Sequence, residues 1–168
     1  MSENAYNSVT GPQDIPDNLK VPPDGGPLLL QAYGKGVQIY DCPVSDPPTP
    51  KPHAILLNGD RDEGDLVAIH FAGPTGPNWQ ALDGSTVVGK VMAKAASPDP
   101  DSVPWLLLKA TPSGGSGLFS QATYIQRLFT DGGQPPKSGC DQAYNQAEVL
   151  VEYSAQYFFY GSAAEQRY

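Results

Sequence analysis

His70 is one of two histidines in the sequence and sits in the string His70-Phe71-Ala72-Gly73-Pro74. An imidazole titrates near neutral pH, which suits it to act as a general base or as a ligand. Catalysis also needs a partner, and pairing His70 with an aspartate such as Asp83 would give a small hydrolase or isomerase. The sequence holds neither a G-x-S-x-G elbow nor an H-E-x-x-H helix, so no convergent acid, base and nucleophile set is evident. On a strand, His70 shares a face with Leu66 and Ala68. A buried histidine hydrogen-bonded within the core is therefore the plainer reading. His53 stands near Pro50 and Pro52 in a loop.

Arg127 is a charge inside an otherwise strand-like run. It calls for either a structural salt bridge with Asp83, Asp131 or Asp141, or an acidic ligand. Trp79, Trp105, Tyr124, Tyr153, Tyr157 and Phe159 form the aromatic set. A structural core accounts for most of them, and a sugar platform or an apolar pocket is the sharper alternative. His70, Trp79, Asp83, Trp105, Arg127 and Tyr153 are the candidate ligand contacts. The acidic run Asn58, Asp60, Asp62, Asp65 has Glu63 where a calcium loop needs glycine and Ile69 where it needs glutamate. It reads as a solvated turn, and no metal site is expected. Asp99 and Asp101 read as turn residues too. Cys42 and Cys140, the only cysteines, have no zinc-site or redox-motif spacing. One disulfide in an oxidising compartment is preferred over two buried thiols.

The elements that must position these residues follow from composition. The 168 residues fit one domain, with 39% apolar and 17% charged residues, as in a globular chain,. Glycine and proline contribute 18 residues each, and such punctuation favours many short strands joined by turns. The net charge of −8 opposes a phosphate-backbone partner, so no nucleic acid is expected,. The longest apolar run, Trp105 to Leu108, is far too short to span a bilayer as a helix.

Alternation and turn signals predict about eight or nine strands and an all-β antiparallel barrel or sandwich. Leu28–Ala32 leads to a tight reversal at Gly34 and Gly36, then to a strand over Val37–Cys42. Five prolines make 43–52 a surface loop. His53–Leu57 and Leu66–Phe71 follow, the second apolar on both faces and so buried on both. Asp83-Gly84 marks a hairpin between Trp79–Leu82 and Thr86–Lys94. Trp105–Thr111, one long strand over Leu118–Thr130, and Val149–Tyr160 complete the set. One helical turn fits within Gln142–Glu148. The expected organisation is a polar lead-in over 1–20, a domain over 21–160 and a tail over 161–168. Ile15 and Leu19 would anchor the lead-in to the barrel surface or to a neighbouring subunit.

Several strings recur in a characteristic order. They are Gly36–Cys42, His70–Pro74, Trp79 with Asp83-Gly84-Ser85, Val103–Leu108, Tyr124–Arg127, Thr130–Gly133, Cys140-Asp141 and Tyr153–Tyr160. From about Val21 to Tyr160 the chain resembles the family catalogued as domain of unknown function 3455, found in bacteria and fungi. The family has no agreed activity, and the resemblance implies export. Residues 1–20 are polar and contain no leader-like apolar stretch, which fits a mature chain, with a cytosolic member as the alternative. The favoured function is a non-catalytic extracytoplasmic module that binds a small molecule or glycan, or serves as a surface or envelope component. A self-assembling structural protein, and hence a homo-oligomer, is the third reading. No cofactor is indicated.

Overall fold

In the computed structural model, which describes residues 11–162, eight strands follow one another around a closed barrel. They are β1 (Leu28–Asp41), β2 (Lys51–Asn58), β3 (Leu66–Gly73) and β4 (Gly76–Ala81), then β5 (Thr86–Ala95), β6 (Trp105–Gly114), β7 (Ala122–Gly132) and β8 (Glu148–Gly161). Each pairs antiparallel with the next, and β8 returns to β1 from Leu28↔Tyr160 to Asp41↔Glu148. Closure leaves no free sheet edge. The only helical pieces among the described residues are the 3-10 turns Asp17–Leu19, Pro23–Gly25 and Gln142–Tyr144. The single all-β domain is therefore an up-and-down barrel.

Three local expectations are corrected. Gly34 and Gly36 make no reversal, because both lie inside the continuous strand β1. Neither has room for a side chain: a Cβ at Gly34 would stand 2.7 Å from Tyr157 Cε2 in the lumen, and one at Gly36 would strike the backbone of the adjacent strand at His53 and Ala54. β3 is buried on one face only. Ala68 and His70 point inward, whereas Leu66 and Ile69 are exposed on the outside. The run Leu118–Thr130 is not one strand either. β7 begins at Ala122, and Phe119, fully buried, turns in to close one end of the barrel.

The closed end is built by the Asp83-Gly84-Ser85 hairpin. Gly84 has φ +95°, the left-handed torsion that favours glycine,. Asp83 Oδ1 accepts from the Ser85 backbone N–H (2.9 Å) and hydroxyl (2.7 Å), and Oδ2 from the Leu118 N–H (2.9 Å). The Ser85 hydroxyl in turn accepts from the Phe119 N–H. This network seats Phe119 against Phe159, ring centroids 4.7 Å apart. Large inward rings alternate with small neighbours such as Ala32, Ala54, Ala68 and Ala155, as a narrow barrel requires,.

At the other end, a Cys42–Cys140 disulfide joins the β1–β2 loop to the β7–β8 loop, 98 residues apart in sequence. On the outside, Leu19 is fully buried against Leu107, Tyr124, Leu128, Phe158 and Tyr160, with Ile15 packed beside it. The Gln126 side chain donates to the Leu19 carbonyl (2.8 Å) and accepts from the Tyr160 hydroxyl (2.6 Å). The outward face of β8 is thus apolar because the lead-in covers it. Residues 1–10 of that lead-in, and the expected tail from residue 163 on, lie outside the described residues.

Candidate functional site in the barrel lumen

The lumen opens at the end opposite Phe119 into a cavity of about 900 Å³. All eight strands contribute to its wall. Gln38 of β1, Pro52 of β2, His70 of β3 and Trp79 of β4 form one half. Val91 of β5, Leu106 of β6, Arg127 of β7 and Tyr157 of β8 form the other. The Pro47–Pro50 segment of the disulfide-tethered loop, with Val103, Pro104 and Gln134, lies at the rim. The volume is within the range of small-molecule sites.

Strand register brings the polar groups together. His70 and Trp79 are directly opposite across β3 and β4, and their rings stack at 4.2 Å with planes 8° apart. The His70 Nδ1 lies 2.9 Å from the Asn78 carbonyl oxygen, which can only accept, so Nδ1 carries the proton and Nε2 the lone pair,. Burial pushes the His70 pKa down to about 3, the Asn78 carbonyl opposing and the Arg127 charge adding to the fall. The ring is neutral at physiological pH. It is a weak base, and its one hydrogen bond does not go to a carboxylate.

Arg127 faces Tyr157 across β7 and β8. Its Nε and Nη2 both donate to the Pro104 carbonyl, at 3.1 and 2.7 Å, and its charge works against the burial that raises the Tyr157 pKa. Tyr157 Oη is 2.9 Å from Tyr153 Oη. Burial raises the pKa of both phenols. Tyr40, pushed up to about 12 by burial, donates to the Gly133 carbonyl. Among the described residues Arg127 has no ion pair, so the expected bridge to Asp83, Asp131 or Asp141 does not form.

Of the residues singled out from sequence, His70, Trp79 and Arg127 line the cavity. Tyr153 is buried behind it and reaches it through the Tyr157 hydroxyl. Asp83 belongs to the closed end, where its carboxyl is held below the usual carboxylate range by the Ser85 hydroxyl first, then by the Ser85 and Leu118 N–H groups. The structure therefore does not assemble a His70–Asp83 dyad. Trp105 stands outside the lumen, its ring 5.2 Å from that of Phe129. Sequence reasoning missed Gln38 and Tyr40 as wall residues, and placed Tyr157 in the aromatic set but not among the candidate ligand contacts. The alternation Gln38, Tyr40 was visible in β1, but which face pointed inward was not. Among the described residues no group of three or more metal-ligating side chains occurs, and no helix is long and apolar enough to cross a membrane.

Two buried polar atoms in the wall have no hydrogen-bond partner, Gln38 Oε1 and Trp79 Nε1. Both residues are about 1% exposed. Trp105 Nε1 is likewise unpartnered but lies outside the cavity lining, so an orphaned indole N–H is not by itself a mark of a site. All three atoms have almost no accessible surface, so none of them opens into the cavity. Residues 56–161 match the family described as "Protein of unknown function (DUF3455)". The chain belongs to this family. The matched region runs from the last residues of β2 to the end of β8 and so carries six of the eight strands whole, with His70, Trp79, Arg127 and Tyr157. No curated protein and no solved structure matches the chain.

Proposed function

We propose that this member of the family is a non-catalytic small-molecule carrier or sensor whose ligand enters the open end of the barrel. The observation that carries the reading is a cavity of about 900 Å³ that opens at one end of the barrel and takes wall residues from all eight strands. A small molecule suits the site better than a glycan. Sugars stack on exposed rings, whereas Trp79 and Tyr157 are buried with their planes turned into the wall. Edge-to-edge assembly has no free strand to use,. The disulfide supports an extracytoplasmic setting,.

The test is titration with N-phenyl-1-naphthylamine, a neutral apolar fluorophore, on the wild-type protein and on Ala72→Trp, which fills the lumen from an exposed inward position. Saturable one-to-one binding, weakened about tenfold or more in the variant, is expected. Binding that is absent, or unchanged in Ala72→Trp, overturns the reading.

A further inference from the structure

The chain carries 18 acidic residues against 10 basic ones, yet no aspartate or glutamate lines the lumen cavity, and Lys51, Lys94 and Arg127 do. The three cations differ in what already answers their charge. Lys51 lies 3.6 Å from Asp41 and 3.5 Å from Glu148 and is largely compensated. Lys94 has no ion pair among the described residues. Arg127 is the most constrained. It is half-buried on an inward position of β7 between Leu106 and Tyr157, and its hydrogen bonds go to one backbone carbonyl, which is formally neutral. A guanidinium drawn partly out of water without a counter-charge is costly, and its planar fork matches a carboxylate. The other polar groups near it, Tyr40, His70 and Tyr157, are neutral, and Val91 and Leu106 give the cavity an apolar stretch.

From this asymmetry we infer that the lumen ligand is an organic acid with an apolar body, its carboxylate at Arg127 and its body against Val91 and Leu106. The inference rests on the lumen being a binding site and adds the chemical class. The neutral His70 ring adds no competing charge. A net-negative protein thereby keeps a positive interior mouth, so attraction for an anion is local and falls as salt screens it.

The experiment displaces N-phenyl-1-naphthylamine from the full chain with octanoate, 1-octanol and octylammonium, which share a body and differ in head-group charge. Octanoate is expected to displace at about tenfold or more lower concentration than octanol, with octylammonium weakest, and added salt should narrow the gap. In Arg127→Gln, checked for native circular dichroism, the octanoate preference should vanish while octanol is unaffected. Arg127→Lys should keep part of it. Equal displacement by all three, a reversed order, or none displacing a probe that does bind overturns the acid-head-group inference and leaves the lumen site standing. Failure of the probe itself to bind wild-type protein overturns both. The wild-type ligand series decides the matter even where a variant does not fold.

Discussion

At the scale of single residues, the lumen trades side-chain volume between neighbours with little slack. Gly89 of β5 lies under the Trp79 indole, and a Cβ there would sit 2.8 Å from Trp79 Cζ3 and 3.0 Å from Leu108 Cδ2. Gly89→Ala should destabilise by about 1–2 kcal/mol net, the overpacking outweighing the better strand propensity of alanine. It should also shift the tryptophan emission, because the ring must move off His70. His70 itself makes a prediction about pH. Its folded pKa of about 3 lies below the unfolded value of about 6.5, so the unfolded chain binds the extra proton as pH falls,. The stability this group confers is fully present above pH ~6.5 and is lost as pH falls toward ~3. Urea unfolding at pH 7 and at pH 5 should differ by about 2 kcal/mol through this residue alone. In His70→Phe, which keeps the stack and removes the titration, that difference should largely disappear. A pH slope unchanged in the variant would refute the assignment.

Elements are held by contacts that join distant parts of the chain. The disulfide ties the two long loops at the mouth, and β7–β8 loop groups also bond the β1 end directly, as in Cys42 N–H to the Ala147 carbonyl (2.8 Å). Closing a loop of 98 residues restricts the unfolded chain, so reduction should cost about 4–5 kcal/mol in the chain-entropy account, read as a lower urea midpoint with reductant,. An unchanged midpoint would mean that the rim is fixed by its hydrogen bonds alone. The lead-in makes a second such join. Leu19→Ala removes a fully buried side chain from the outer cluster over β6, β7 and β8 and should cost about 2–5 kcal/mol,. A cost near zero would show that the lead-in merely rests on the barrel.

For the whole molecule, closure is the governing fact. Every strand has two hydrogen-bonded neighbours, so no strand can leave without breaking two ladders. The lumen core and the outer cluster share the wall formed by β6, β7 and β8. Unfolding in urea should therefore be a single cooperative transition, with tryptophan fluorescence and far-ultraviolet circular dichroism coincident. Separated transitions would indicate that the β1–β4 half opens independently of the β5–β8 half.

Period-two alternation, the Asp83-Gly84 turn and the spacing of glycine and proline were enough, within the sequence, to define an all-β chain and most of its strands, because those signals are local. The ordered strings likewise sufficed to identify the family. Two local signals misled. Gly34 and Gly36 read as a reversal because a glycine permits a turn and also makes space, and only the ring of Tyr157 lying over Gly34 decides between them. Leu118–Thr130 alternates like a strand, but Phe119 was needed as the plug of the barrel. The site was half legible. His70, Trp79 and Arg127 stand out by residue type, yet their convergence depends on the cross-strand register His70↔Trp79 and Arg127↔Tyr157. Which face of a strand becomes the lumen depends on the return of β8 to β1, a pairing between chain ends that no local pattern encodes. The same closure moved Trp105 to the outside and Asp83 to the far end, although both looked as chemically apt as the residues that line the cavity.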